Sequence, residues 1–229
     1  MTTIHNNIQR VRDRIVAACA QAQRPVTEVT LLAVSKTFGP EAVREAHDAG
    51  QNAFGENYIQ EAVEKIALLR ELPLQWHCIG PVQSNKTRLV ATHFDWVHSI
   101  DRLKIAQRLS EQRPPGLTPL QVCVQVNIDG GATKAGVSPR EVLALAGEIT
   151  QLPHLKLRGL MTIPEPVADA AAQRALHLRT RALFDQLNDA GLQLDTLSMG
   201  MTADLEAAIV AGSTMVRIGT AIFGGRPAN

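Results

Sequence analysis

Lys36 closes the run Thr30-Leu-Leu-Ala-Val-Ser-Lys36, an aliphatic stretch that ends on an amine. A lysine of ordinary pKa, about 10.4, is neutral in only about one molecule in a few thousand at pH 7. Desolvation or a neighbouring positive charge lowers that pKa, and the neutral amine then attacks an aldehyde to give a Schiff base. Arg217, in Met215-Val-Arg-Ile218, is a candidate for that neighbour. Two further runs, Ser198-Met-Gly-Met-Thr202 and Ile218-Gly-Thr220, are small, glycine-bearing and rich in hydroxyls. That composition suits a phosphate grip, in which backbone N–H groups and hydroxyls face an anion. An imine-forming lysine beside such a grip fits a phosphorylated aldehyde cofactor or a sugar phosphate attacked directly. Each residue also has a plain reading: a strand-end lysine more often snorkels into water, an arginine forms a surface ion pair, and glycines turn the chain.

These residues gain meaning from the elements that must carry them. Short apolar runs fall at Val29–Ser35, Asn52–Gly55, Leu74–Ile79, Trp96–Ile100, Leu120–Ile128, Leu155–Ile163, Leu194–Ser198 and Thr214–Ile218. Between them lie helical stretches. Pro40 stands at a first turn and Gly50 at a stop. Ser138-Pro-Arg-Glu141 reads as a capping box with proline at the first helical position. Ala172, Leu176, Leu183 and Leu187 line one face of a long helix that Gly191 ends. Ahead of the first strand, Ile4, Ile8, Val11, Ile15 and Cys19 recur every three or four residues and predict an extra N-terminal helix.

Alternating β and α units imply a parallel sheet covered by helices, and eight of them suggest closure into a single (β/α)8 barrel over residues 1–229. An open α/β sheet of six or seven strands is the alternative. In a barrel the working face is formed by the loops after the strand C-termini. Lys36, Asn57, Ser198, Thr202, Arg217, Gly219 and Thr220 all fall at or just past such ends. Thr202, ahead of the helical run Ala203–Ala211, is positioned both to cap that helix and to donate its hydroxyl to a phosphate. Both faces of the first strand are apolar, so alternation alone does not say whether Lys36 faces the lumen.

Composition narrows the classes. Lys+Arg number 23 against 22 Asp+Glu, so no basic excess favours nucleic acid, and 3% aromatic residues leave few platforms for stacking bases. No apolar run approaches the ~20 residues of a membrane span. Cys19, Cys78 and Cys123 are scattered and form no CxxC pair, and the seven histidines contain no HExxH, so neither a disulfide framework nor a zinc site is expected. Met1-Thr-Thr-Ile-His5 is not a secretory leader. A reduced, cytoplasmic protein is the expectation.

The longer motifs carry a resemblance. Leu32-Ala-Val-Ser-Lys36, Phe54-Gly-Glu-Asn-Tyr58, Trp76-His-Cys-Ile-Gly-Pro-Val-Gln-Ser-Asn-Lys86, Arg158-Gly-Leu-Met161, Ser198-Met-Gly-Met-Thr-Ala-Asp204 and Gly212-Ser-Thr-Met-Val-Arg-Ile-Gly-Thr-Ala-Ile-Phe-Gly224 follow one another along nearly the whole chain. Together they resemble the YggS/PROSC family of PLP-binding proteins, the pyridoxal phosphate homeostasis proteins. The resemblance implies a barrel like the alanine racemase N-terminal domain, with pyridoxal 5′-phosphate (PLP) at the strand C-termini. It implies that Lys36 is the Schiff-base lysine and that Arg217 faces the pyridine nitrogen. Ser198, Thr202, Gly219 and Thr220 would grip the phosphate, with Asn57 beside the cofactor. Cys78 stands where the family commonly has a bulkier apolar residue, and Thr202 where it usually has serine, which keeps the hydroxyl.

An arginine at the pyridine nitrogen keeps that nitrogen unprotonated and weakens the ring as an electron sink, which disfavours aminotransferase-type chemistry. Alanine racemases tolerate the arrangement but bring a second base from another domain, and no such domain is expected here; Tyr58 is the sole tyrosine. The leading expectation is therefore a non-catalytic PLP carrier that buffers the cofactor and releases it to PLP-dependent apo-enzymes. A racemase-type enzyme is the second, with His77, Lys86 or a partner chain as the second proton carrier. The third is a barrel lyase acting directly on a sugar phosphate. His77 reads as a packed strand residue and Lys134 as a solvated loop lysine.

Overall fold

The computed structural model describes residues 3–131, 135–165 and 169–225. Eight parallel strands close a barrel in chain order: β1 (Thr30–Val34), β2 (Ala53–Glu56), β3 (Gln75–Cys78), β4 (Trp96–Ile100), β5 (Leu120–Gln125), β6 (Leu155–Met161), β7 (Thr196–Ser198) and β8 (Met215–Ile218). The helices that cover it are α2 (Pro40–Asp48), α3 (Ile59–Leu68), α4 (Thr87–His93), α5 (Leu103–Gln112), α6 (Val142–Thr150), α7 (Ala170–Asp189) and α8 (Leu205–Val210), with α1 (Thr3–Gln21) in front and α9 (Thr220–Phe223) behind. The closed barrel excludes the open sheet. Each predicted strand is present, most trimmed by a residue or two.

Closure sets β8 beside β1, with Leu32 opposite Arg217 and Ala33 opposite Ile218. It also settles the orientation that alternation left open. Leu32 and Val34 belong to the lumen, with Ala53, Ile79, Trp96, Cys123, Met161 and Met215. Ala33, Phe54, Val97 and Val216 face the larger apolar layer under the helices. Lys36 follows Leu32 and Val34 in phase, so the chain delivers it toward the barrel mouth, and Ser35 is turned outward.

The extra helix α1 buries Ile8, Val11, Ile15, Ala18 and Cys19. It lies against α2, α8 and α9. Burial of each of its large aliphatic side chains contributes about 1.5–3 kcal/mol. Its polar edge reaches the mouth, because Arg14 pairs with Glu206 at 2.7 Å and donates to the Thr202 carbonyl at 2.9 Å.

Three local expectations need correction. The capping box closes before its helix: Ser138 N and Oγ both donate to the Glu141 carboxylate, at 3.1 and 2.6 Å, and α6 starts only at Val142. The buried face of α7 is His177, Thr180, Phe184 and Leu187, so it keeps Leu187 of the predicted stripe, leaves Leu176 and Leu183 half-buried at its edge and exposes Ala172. Thr202 does not cap α8; that position belongs to Asp204, whose carboxylate turns back to accept from Met201 N at 2.7 Å.

Candidate functional site

A cavity of about 300 Å³ opens at the C-terminal mouth of the barrel. Lys36, Asn57, Thr202, Arg217, Gly219 and Thr220 line it, between apolar walls from Val34, Ile79, Ile163 and Met201. A side pocket of about 160 Å³ shares Lys36, Gly219 and Thr220. A larger groove, about 570 Å³, runs between α1 and the opposite end of β1 and β2. Its cation is Arg12, which donates to the carbonyls of Ala49 and Gly50. Chemistry therefore collects at the smaller cavity.

The segment carrying Lys36 is anchored from outside the barrel. Ser35 Oγ donates to Glu56 Oε1 at 2.6 Å, and Lys65 Nζ donates to the same oxygen at 2.6 Å and to Ser35 O at 3.0 Å. Burial pushes the Glu56 carboxyl pKa up, against the pull of Lys65. Thr37 follows with φ of 68°, and its N–H donates to Glu61 Oε1 at 3.1 Å. A non-glycine residue at positive φ is costly and persists only where its surroundings hold it. Here the Glu56–Lys65 pair and Glu61 fix the residues on either side of Lys36.

Arg217 is held from inside the lumen. Its Nη1 donates to Ser198 O at 2.7 Å and Ser198 Oγ at 2.8 Å, and its Nη2 to Thr162 O at 2.8 Å. These acceptors are all neutral. Burial lowers the guanidinium pKa to about 10, with Asp204 pulling the other way, so it stays charged at neutral pH. A buried cation with no carboxylate against it is suited to an acceptor or an anion in the cavity.

Ser198, expected in the phosphate grip, is fully buried with its hydroxyl against Arg217 and His98 and does not line the cavity. His98 Nδ1 lies 2.8 Å from Ser198 Oγ, and His98 Nε2 lies 2.9 Å from His77 Nδ1. His77 Nε2 in turn meets Gln75 Oε1 at 3.1 Å. Burial lowers the His77 pKa to about 3 and carries that of His98 well below its ordinary value. Sequence reasoning missed His98; the available signal was a histidine in phase with Trp96 on a short apolar strand.

The loop after β7 is pinned from three sides. His177 Nε2 donates to Asp204 Oδ2 at 2.8 Å, Met201 N to Asp204 Oδ1, and Arg14 to Thr202 O. Burial raises the Asp204 pKa, but the bonds from His177 and Met201 outweigh it and hold the carboxyl below its usual range. Gly200 has φ of 97°, and a Cβ there would come within 2.5 Å of Ala208 Cβ. Across the mouth, a Cβ on Gly80 would sit 2.2 Å from Asn57 O, so only glycine lets Asn57 take its place.

Polar groups are left over here. Thr37 Oγ1, Asn57 Oδ1 and Thr162 Oγ1 are buried without a hydrogen-bond partner. Among the described residues, the N–H groups of Thr202, Ala203, Gly219 and Thr220 have no acceptor. Buried side-chain polar atoms are normally satisfied, so the three orphaned oxygens, with free N–H groups at the more open rim of the cavity, fit a polar, phosphate-bearing occupant. Lys134 lies outside the described residues.

Residues 3–227 match the family described as alanine racemase, N-terminal domain. A pyridoxal phosphate homeostasis protein of Pseudomonas aeruginosa is 62% identical over 226 residues, 99% of this chain and 97% of that one. The chain belongs to the pyridoxal phosphate homeostasis protein family. The Escherichia coli protein of that name is 52% identical over 229 residues, 99% of this chain and 98% of its own. The structure of PipY from Synechococcus elongatus with PLP bound matches with a TM-score of 0.80 at 38% identity, over 93% of this chain and 100% of that one. An alanine racemase of Clostridium difficile shares the barrel fold at 17% identity and a TM-score of 0.70, with 95% of this chain covering 57% of that one.

Proposed function

We propose that residues 1–229 act as one barrel domain that binds PLP at the C-terminal mouth and takes part in PLP homeostasis without catalysing a reaction. The observation that carries this reading is the buried, carboxylate-free Arg217 sharing one cavity with Lys36 and the unsatisfied N–H groups after β7 and β8. PLP supplies an aldehyde able to exchange between amines. Lys36 is the amine that holds it, and Arg217 directs a donor at the pyridine nitrogen. Thr202, Gly219 and Thr220 surround the phosphate, Asn57 borders the ring, and Ser198 acts one step removed by holding Arg217.

The relatives' names and the PLP-bound PipY structure support binding. The placement of three side chains favours a carrier over a racemase. His77 is sealed in the lumen with both nitrogens engaged, and Lys86 reaches Gln60 at 3.3 Å; neither lines the cavity. Tyr58 is half exposed and also outside the cavity lining. Release of PLP to apo-enzymes would then need only displacement of Lys36 by an incoming amine.

Absorbance spectra of wild type and Lys36→Ala, before and after adding PLP, test the binding reading. Wild type should gain a visible band that borohydride quenches onto Lys36, and Lys36→Ala should not; an unchanged band in the variant would overturn the assignment. Incubating the loaded protein with single-enantiomer amino acids in deuterated water tests the carrier reading. Deuterium at the α-carbon above the rate of free PLP would make it an enzyme.

A further inference from the structure

We propose that His98 and His77 are positioning residues for Arg217, acting through the Ser198 hydroxyl along a single directed chain of hydrogen bonds that crosses the barrel lumen. The inference rests on the reading of the mouth as a PLP site and concerns how that site's arginine is held.

The direction of the chain follows from donor chemistry. Arginine only donates, so Ser198 Oγ accepts from Arg217 Nη1 at 2.8 Å. The serine hydrogen is then free for His98 Nδ1, 2.8 Å away. With Nδ1 accepting, neutral His98 carries its proton on Nε2 and donates to His77 Nδ1 at 2.9 Å. His77 then carries its own proton on Nε2 and donates to Gln75 Oε1 at 3.1 Å. Every donor and acceptor on the path is used once. In the reverse sense the serine hydrogen would have no acceptor, and the Gln75 amide would have to turn.

The chain runs from the cofactor mouth to the opposite one, where Gln75 is exposed and borders a separate cavity of about 220 Å³. Parallel-barrel lumens are normally filled by branched aliphatic residues. Here His77, His98, Ser198 and Arg217 are all buried in line, and His77 stacks on Trp96 at 5.2 Å and 9°. Uncompensated polar groups at such positions are costly, and a second cation beside Arg217 more so. A neutral, fully satisfied chain removes both costs, and its bonds polarise one another in the same sense.

The consequence falls on Arg217. Its three bonds to Ser198 O, Ser198 Oγ and Thr162 O fix the guanidinium plane. Nε–H and one Nη2–H are left to face the cavity. Without the acceptor at His98, the serine hydroxyl turns toward another partner and its lone pair leaves Nη1. The guanidinium loses one of its fixed bonds and its donors are no longer preset for the ligand.

PLP titrations of purified wild type, Ser198→Ala, His98→Leu, His98→Asn and the Ser198→Ala/His98→Leu pair test this. If wild type fails to bind PLP, the functional reading itself falls. Given binding, Ser198→Ala and His98→Leu should each weaken it about tenfold, the loss of one hydrogen bond to a charged group. The double variant should also stand about tenfold down, because the second change has nothing left to break. His98→Asn, which keeps an acceptor near Nδ1, should bind within about threefold of wild type although it packs less well than leucine. Unchanged affinity in His98→Leu, multiplying losses in the double variant, or weaker binding by His98→Asn than by His98→Leu would overturn the inference. Should His98→Leu fail to fold, nitrogen-15 spectra of the wild-type imidazoles decide it. Both rings should be neutral with the proton on Nε2 at pH 7.5, and a proton on Nδ1 of His98, or a charged ring, refutes the chain.

Discussion

Acidification from pH 7 to pH 5 should destabilise this protein by about 2 kcal/mol through His77 alone. In the folded chain burial places its pKa at about 3, against 6.5 in the unfolded chain. A base whose folded pKa is depressed binds more protons when unfolded. Its stabilising effect is therefore complete above pH 6.5 and is lost progressively as the pH falls toward 3. The gap of about 3.5 pH units is worth about 5 kcal/mol in full, and the share released by pH 5 is about 2 kcal/mol. His98 moves in the same direction, lowered first by burial and then by the neighbouring His77 ring, which resists a second proton beside it, and by the Arg217 guanidinium. Asp204 and Glu206, both held below their usual range, lose their contribution only at lower pH, and Glu56, raised by burial, opposes the trend. Urea unfolding midpoints between pH 7.5 and 5 measure the slope. A loss of about 2 kcal/mol moves the midpoint by about 1 M at an m-value of about 2 kcal/mol/M. His77→Phe, which keeps the stack on Trp96 but cannot titrate, should flatten the slope. A wild-type midpoint constant over this range, or a variant as steep as wild type, would refute a neutral buried His77.

Other expectations follow from the same geometry. Lys65→Met removes the cation paired with the fully buried Glu56, which must then hold its charge unpaired or take up a proton, so thermal denaturation should show a loss of up to about 3–5 kcal/mol; Glu56→Leu/Lys65→Met should recover most of it. Arg14→Ala removes a half-exposed ion pair and should cost at most about 1 kcal/mol in urea unfolding, yet weaken PLP binding measurably because the Thr202 carbonyl loses its tether. Gly80→Ala drives a methyl into Asn57 O, so a drop in melting temperature together with weaker PLP binding is expected, and a silent phenotype would contradict the tight approach.

The barrel was legible because its signals are local. Apolar runs, the first-turn Pro40 and Gly50 mark strands and helix ends from within a few residues, and the eight strands stand where those signals put them. The six cavity residues were legible because strand C-termini share one mouth in this topology. The orientation of β1 was not, since a strand covered on both faces has no amphipathic contrast, and only the pairing of Leu32 with Arg217 across the closure fixes it. Part of the buried face of α7 was hidden for a related reason. His177 and Thr180 are buried there because Asp204 and the helix's own Leu176 carbonyl receive their polar atoms, partners remote or unmarked in the sequence.

The lumen chain shows what local patterns cannot carry. His77, His98, Ser198 and Arg217 come from four strands, and nothing within any one run links it to the other three. They form one object only when the register of the whole barrel is known, because a slip of one residue in any strand would turn its member outward. The outcome is that Lys36 and Arg217 rest on separate supports. Glu56 and Lys65 hold the lysine segment from the helix layer, and Ser198 and the histidines hold the arginine from the lumen. If PLP bridges them as proposed, damage to the two supports should separate in experiment. Lys65→Met should slow the reaction of Lys36 with the aldehyde, while His98→Leu should leave that rate and weaken the hold on bound cofactor. Equal effects of both changes on both quantities would mean that the two supports act as one.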